Sequence, residues 1–211
     1  MKLFRKNPGS PAGDVAGKDV SEALFVVLDT ETTGLDPLHD RILSIGVLKL
    51  QGGRIRVRES MELFIAQEHF DHRSVPIHGI LKQGPNRRLP EREALEQFLG
   101  FCDGAILVGH HIGFDLEMLR RGLARHGMPE PGNPCLDTDL LYKATLLKSP
   151  LLNKKAHYSL DELAGRFDLS CKDRHTALGD AYLTAVAFLH ILGLLAAKRP
   201  LTLKYLLRIG S

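Results

Sequence analysis

Phe25-Val-Val-Leu-Asp29-Thr-Glu31-Thr-Thr-Gly34-Leu-Asp36 is the stretch on which the fold turns. Its first four residues are apolar without interruption, and the run ends in the polar, Gly-containing segment Thr30 to Gly34. A strand with one wet face alternates apolar and polar residues, so an unbroken run suits a strand covered on both faces. Asp29 and Glu31 stand two apart, and on an extended chain their carboxylates project to the same side, just where the buried strand emerges. Two close carboxylates repel unless a cation sits between them, and hard oxygen donors suit Mg²⁺ or Mn²⁺ better than zinc. An exposed strand end with solvated acids has the same spelling, so this pair does not separate the two readings.

Downstream, Ile42 to Leu50 forms a second strand candidate. Gly52-Gly53 reads as a tight hairpin turn, after which Arg54, Arg56 and Arg58 alternate with Ile55 and Val57. These arginines suit phosphate contacts and an aggregation-resistant edge strand equally well. Three strands in an antiparallel meander follow from that order. Pro90 opens a helix in which Ala94, Leu95, Phe98, Leu99 and Cys102 recur at helical spacing. Ala105 to Val108 is a short buried strand, and Phe114 to His126 a helix closed by Gly127 and Pro129. Cys135 to Leu141 reads as a fifth strand or a helix start, and Ser159 with Glu162 spells a capping box. A long helix from about Thr176 to Ala197 ends the pattern. A meander followed by alternating helix and strand implies one mixed-sheet α/β domain.

Composition agrees. The 211 residues suffice for a core without disulfides, and 44% hydrophobic with 25% charged residues is a globular balance. Cys102, Cys135 and Cys171 are odd in number and far apart, which excludes a disulfide framework and a CxxC metal knuckle and suggests a reducing compartment. No export signal is evident near the start, so the cytoplasm is expected. The net charge of +3 hides an asymmetry: Ala181 to Ser211 has no acidic residue but carries Lys198, Arg199, Lys204 and Arg208. Ala181 to Ala197 is uncharged and apolar almost all round; being short for a span and containing Thr184 and His190, it is expected to be a core helix. The expected division is a flexible arm over 1–20, a folded α/β domain over 21–197 and a basic amphipathic tail over 198–211. Leu201, Leu203, Leu206, Leu207 and Ile209 in that tail suit packing on the domain, on a partner subunit or on a membrane surface.

Two further acids stand at suggestive places. Asp115 ends Gly109-His-His-Ile-Gly-Phe-Asp115, where a strand passes through a polar turn into a helix; a helix cap would also use Asp there. His175 and Asp180 are five apart, a spacing that points them to different faces of one helix, so convergence requires His175 on the preceding loop and Asp180 in the helix. In its apolar neighbourhood an unpaired Asp180 would be expensive, which favours a metal or cationic partner. Asp36, Asp40, Glu117, Asp137, Asp139 and Asp161 sit on turns or helix starts, where solvation, capping or dipole compensation accounts for them.

Phe25 to Asp36, the run HDRILSIGVLKL over 39–50, Val75-Pro-Ile-His-Gly-Ile80, GHHIGFDLEML over 109–119 and HTALGDAYLT over 175–184 follow one another in the order seen in the DnaQ-like 3′-to-5′ exonucleases. Over about residues 24–192 the chain resembles this family, the DEDDh group of the ribonuclease-H-like fold. The resemblance implies a twisted five-stranded mixed sheet flanked by helices, with an acidic metal site at the centre of one edge. Position by position, it implies Asp29, Glu31, Asp115 and Asp180 as ligands of two divalent cations, Mg²⁺ or Mn²⁺, and His175 as general base. It implies single-stranded or frayed nucleic-acid 3′ ends as substrate, DNA favoured and RNA allowed. The 3′-terminal nucleotide would lie on Thr32, Thr33, Gly34 and Leu35, with His78 beside the terminal base. Phe114 is read as core in preference to a base-stacking surface. His111 stands where this family often has Asn, which leaves a local substrate contact open. The partners it allows beyond nucleic acid are a DNA polymerase or a second copy of the chain, and no membrane. The alternative from another class is a catalytically silent nucleic-acid-binding or polymerase-accessory module with the same fold.

Overall fold

The apolar run at Phe25 is the third strand from one edge of a six-stranded sheet in the computed structural model of the chain, which describes residues 19–68, 75–82, 84–146 and 157–211. The strands are β1 (Phe25–Thr32), β2 (Ile42–Gln51), β3 (Arg54–Ile65), β4 (Arg88–Leu89), β5 (Ile106–Gly109) and β6 (Cys135–Asp137), in spatial order β4-β3-β2-β1-β5-β6. β1, β2 and β3 pair antiparallel, whereas β4 runs parallel to β3, β5 to β1, and β6 to β5. The expected arm, 1–18 of it, lies outside the described residues.

The five expected strands are present, and the sixth, β4, adds only two residues against the end of β3. So short a strand has no period to read. The hairpin at Gly52-Gly53 is as expected, with both glycines at positive φ. Register then jumps from Leu48 opposite Ser60 to Lys49 opposite Arg56, so residues 57–59 bulge and Arg58 leaves the regular face shared by Arg54 and Arg56.

Seven helices complete the described chain: α1 (Val75–His78), α2 (Glu91–Phe101), α3 (Gly113–Arg125), α4 (Thr138–Thr145), α5 (Leu160–Arg166), α6 (Ala177–Ala196) and α7 (Leu203–Gly210). Cys135 to Leu141 proves to hold both a strand and the start of a helix. The capping box forms in full, with Ser159 Oγ accepting from the Glu162 N–H and the Glu162 carboxylate from the Ser159 N–H.

Two cores lie on the two sides of the sheet. Phe25 and Val27 join Leu48, Ile106 and Val108 under α6, which contributes Ala181, Ala185, Phe188 and Ile191. Val26 and Leu28 face the other way, onto Ala94, Leu95 and Phe98 of α2 and Met118, Leu119 and Leu123 of α3. All four strand residues are at most 1% exposed, which is why their run is unbroken, and each such side chain contributes roughly 1.5–3 kcal/mol by burial.

α6 is long and apolar enough to cross a membrane by length and composition alone, but half of its apolar window is buried within the protein. His190 fits there by stacking on Phe167, with ring centroids 5.0 Å apart. The basic tail folds as α7: Leu203 and Leu206 are fully buried in the α6-side core, and Arg199 and Arg208 flank the Tyr205 ring. Of the settings open to the tail, packing on its own domain is the one observed for these leucines.

One close approach sets the site. Gly46 stands opposite Asp29 across the β1–β2 ladder, and a Cβ there would collide with the backbone of Ala177. The missing side chain lets the first turn of α6 lie directly on the sheet beside Asp29.

Candidate active site

Asp29 and Glu31 share the face of β1 that carries Phe25 and Val27, so they emerge from the sheet on the α6 side. Asp180 comes from the first turn of α6, and one carboxylate oxygen from each of the three lies within 4.8 Å of the other two. Thr176 caps this helix by accepting from the Gly179 N–H at 3.1 Å. Gly179 is needed because a Cβ would strike the Asp173 carbonyl, so the loop before the helix folds tightly over its first turn. That loop carries His175, exposed, at φ 65°, its N–H donating to Asp180 Oδ2 at 3.3 Å. His175 on the loop and Asp180 in the helix thus meet.

Asp115 enters from the opposite face. It lies in the first turn of α3, with Ile112 rather than Asp115 at the N-cap, and is buried with Oδ1 accepting a 2.6 Å hydrogen bond from Thr30. Thr30 points to the α3 side of β1, so Asp115 sits across the strand from the tight trio and is felt there through its charge.

The electrostatics are those of acids crowded together. Burial, then the charges of Asp115, Asp180 and Glu31, hold the Asp29 carboxyl well above the ordinary carboxylate range. Glu31 is pushed up to about 7 by burial and then by Asp180 and Asp115. Burial also raises Asp115 to about 7 against the opposing hydrogen bond from Thr30. Among the described residues the cation on the trio is Arg174, whose guanidinium bridges Asp180 and Asp161, the latter at 2.7 Å. Asp180 Oδ1 is buried and has no hydrogen-bond partner among the described residues. An orphaned carboxylate oxygen beside two carboxyls that resist ionisation is a donor set that fits a hard divalent cation.

The cleft over the trio has a volume of about 300 Å³. Of the residues singled out in the sequence, Asp29, Glu31, His111, His175 and Asp180 line it. His111 sits in the left-handed region, φ 54°, and its N–H donates to Asp137 Oδ1 at 3.1 Å. Thr32 to Leu35 form the adjoining loop. Thr32 Oγ1 donates to the Gly34 carbonyl at 2.7 Å, Thr33 Oγ1 to Asp40 at 2.7 Å, and a Cβ on Gly34 would lie 2.5 Å from that Asp40 carboxylate. Asp40, read as a turn acid, is thus the anchor of the loop that presents Leu35, 84% exposed. His78 is buried at the end of α1, with Nδ1 accepting from the Ile80 N–H at 2.9 Å, and Phe114 packs against the α2–α3 core; neither is among the described residues lining the cleft.

Thr30, His110, Ser159, Leu160 and Arg174 line the cleft without having been singled out there. A cation immediately before His175 was a readable signal for Arg174, since crowded acids need one. His110, pushed down to about 4 by burial and the neighbouring His111, stays neutral, and its Nδ1 lies 2.9 Å from Thr138 Oγ1.

The sequence model of the family described as Exonuclease matches residues 26–188, a stretch holding Asp29, Glu31, Asp115, Asp180 and His175. The chain belongs to the exonuclease family. Among relatives of this exonuclease domain, the PolC-type DNA polymerase III of Thermotoga maritima is 38% identical over 168 residues, which are 80% of this chain and 12% of that protein. A DNA polymerase III subunit epsilon-like protein of Rhodobacter capsulatus is 35% identical over 188 residues, 87% of this chain and 26% of that one. The exonuclease domain therefore spans a small part of the length of these relatives. Among solved structures, E. coli exonuclease I in complex with a dT13 oligonucleotide superposes with a TM-score of 0.67 at 18% identity, over 84% of this chain and 42% of that one. Exonuclease X in complex with 5′ overhanging duplex DNA gives 0.66 at 20% identity, over 88% and 98%. The shared fold is the ribonuclease-H-like α/β fold with a mixed sheet flanked by helices.

Proposed function

We propose that this exonuclease domain removes nucleotides from single-stranded or frayed 3′ ends of nucleic acid, DNA in preference to RNA, and releases nucleoside 5′-monophosphates. The observation that carries the proposal is the meeting of Asp29, Glu31 and Asp180 within 4.8 Å, with His175 on the rim of the same cleft and Asp115 across the strand. Asp29, Glu31 and Asp180, with Asp115 behind them, would hold two divalent cations, Mg²⁺ or Mn²⁺. When bound, such ions neutralise a phosphodiester and make a water molecule easier to deprotonate.

The chain's own groups supply the rest. His175 is exposed on the cleft and takes the proton of the attacking water on an imidazole nitrogen, the general-base role that histidine fills most often. The water oxygen bonds to phosphorus as the bond from phosphorus to the 3′-oxygen breaks; that oxygen takes up a proton from bulk water, and the His175 imidazolium returns its own proton to solvent. The 5′-phosphate stays on the released nucleotide. The hydrogen bond from the His175 N–H to Asp180 Oδ2 ties the base to the acidic trio, so their separation is fixed by one short loop. Arg174 neutralises Asp180 before the cations arrive and keeps Asp161 as its second partner.

Thr32 to Leu35 are assigned to the terminal nucleotide, with exposed Leu35 as the wedge beside its base, and His111 to a contact at the cleft edge. His78 and Phe114 are assigned to the support of that surface. The names of the relatives, PolC-type polymerase III and epsilon-like protein, support DNA as substrate, a DNA polymerase as partner ahead of a second copy of the chain, and the cytoplasm as the place of action.

The test incubates the purified chain with 5′-labelled single-stranded DNA and RNA of matched sequence in Mg²⁺, Mn²⁺ or EDTA, beside an Asp29→Ala control. A metal-dependent ladder shortening from the 3′ end and absent in the control is expected, faster on DNA. Binding of both polymers with shortening of neither would replace this reading with that of a silent accessory module.

A further inference from the structure

Asp139, read from sequence as a helix-start acid accounted for by solvation or capping, is 1% exposed and forms the hub of a second cluster. Its Oδ1 accepts the Tyr158 N–H at 3.0 Å. Its Oδ2 faces three groups from three segments: His157 Nδ1 at 3.0 Å, His111 Nε2 at 3.3 Å and Lys143 Nζ at 2.6 Å. Lysine alone would balance the charge, and His157 can donate to the carboxylate. His111 is what such a network leaves over. Its Nε2 is buried, lies within ion-pair distance of Asp139 without hydrogen-bond alignment, and has no hydrogen-bond partner among the described residues. The ring is brought there by a left-handed backbone at φ 54°, anchored through the N–H to Asp137.

We propose that His111, Asp139 and His157 form a zinc site on the rim of the cleft, separate from the carboxylate trio. One donor atom from each residue lies within 4.8 Å of the other two. Ligands on a tetrahedral ion with bonds of roughly 2.0–2.1 Å stand roughly 3.3 Å apart, and the distances of 3.0 and 3.3 Å to Asp139 match that spacing. Two imidazoles and one carboxylate are a donor set for zinc rather than magnesium, which keeps to oxygen. The supporting contacts exist already: the Tyr158 N–H orients the carboxylate, and Asp137 orients the His111 backbone. Zinc binding releases Lys143 from Oδ2, which its long, partly exposed stem permits. An ion here ties the β5–α3 turn, the first turn of α4 and the residues entering α5 into one unit. Because His111 also lines the cleft, the site adds positive charge at its edge.

The test reads zinc content and not nuclease activity, so its outcome is independent of the function proposed above. The full chain, its Asp29→Asn/Asp180→Asn variant, and His157→Ala in both backgrounds are equilibrated with Zn²⁺, dialysed and assayed for zinc per chain; Co²⁺ is titrated in parallel for the visible absorption of a tetrahedral site. The double variant is expected to retain one equivalent and the Co²⁺ spectrum, and His157→Ala to bind more than about tenfold more weakly. His157 has 70% of its side chain exposed, so its melting temperature in EDTA is expected to stay at the wild-type value. Lys143→Met is expected to bind zinc several-fold more tightly. If the double variant fails to fold, loss of one equivalent on going from wild type to His157→Ala carries the same meaning. Zinc that disappears with Asp29 and Asp180 but survives His157→Ala, or zinc retained by no form, overturns the proposal.

Discussion

Removing one charge from the acidic trio should stabilise the metal-free protein. The chosen substitution is Glu31→Gln, which keeps the shape of the side chain. Glu31 titrates at about 7 in the folded chain against an ordinary 4.5. Between those values the folded chain holds more protons than the unfolded one, so stability falls as pH rises through the window and is lowest above it. At about 1.4 kcal/mol per tenfold change in proton affinity, the ionised side chain costs ~3 kcal/mol at pH 8. Part of the relief is shared with Asp29, whose ionisation the same charge opposes, and part of the side chain is solvated, so a gain of about 1–2 kcal/mol is expected. For a chain of this size that is a rise in Tm of roughly 2–8 °C in EDTA. At about pH 5, where folded Glu31 is already protonated, the difference should shrink to less than half. Saturating Mg²⁺ should reverse the order, since wild type gains about 2.7 kcal/mol at a hundredfold excess over Kd and the variant gains less. Melting curves at both pH values, with EDTA and with Mg²⁺, decide it. A variant that melts below wild type at pH 8 in EDTA, or an advantage of equal size at pH 5, would refute the reasoning.

Gly46→Ala places a Cβ against the backbone of Ala177 and should cost ~3 kcal/mol, the upper end for overpacking, because the obstacle is backbone; denaturant unfolding measures it, and the Mg²⁺-induced rise in Tm should shrink as Asp180 is displaced. Arg174→Gln leaves Asp180 without its cation and should lower stability in EDTA by about 1–3 kcal/mol, read by denaturant unfolding, a loss that saturating Mg²⁺ should largely restore; an equal loss in both conditions would assign Arg174 to packing alone. His175→Ala should cut turnover about 10²- to 10⁴-fold while the Mg²⁺-dependent rise in Tm persists; wild-type rates across pH 6 to 9 would remove His175 from the reaction.

What could be read in the sequence depended on whether a residue's partner was near in the chain. The β1 run was legible because burial on both faces leaves no polar position, and the hairpin because Gly52-Gly53 supplies positive φ at adjacent positions. The capping box at Ser159 and Glu162 is complete within four residues. Asp29, Glu31 and Asp180 were legible as unusual acids, but that they share one site depends on Gly46 and Gly179, whose importance lies in what is missing above them. Thr30 with Asp115 and Asp139 with His111 were hidden because their partners lie 85 and 28 positions away along the chain. The bulge at 57–59 and the two-residue β4 carry no period at all. In the basic tail the amphipathic pattern was visible, but not the surface that Leu203 and Leu206 would cover.

Both carboxylate clusters follow the same rule. Arg174 sits on Asp180 and Lys143 on Asp139, so in each one carboxylate oxygen faces an internal cation on a side chain long enough to withdraw. Without those cations two buried carboxylates would stand uncompensated, and the helix starts that carry them would lose the contacts that fix their orientation. With them the chain folds before any ion binds, and ion binding becomes an exchange of one positive charge for another. The exchange lowers the affinity for the ion, because the guanidinium or ammonium must first leave, but it leaves the donor atoms already in place. The two clusters then differ in hardness: three carboxylates on the α6 side select oxygen-seeking cations, whereas two imidazoles around Asp139 select zinc. His111 stands at the border between them, lining the cleft of the first and offering a ligand nitrogen to the second. Its replacement by Asn should therefore leave Mg²⁺-dependent stabilisation intact while weakening zinc retention, a separation that no single shared metal site could produce.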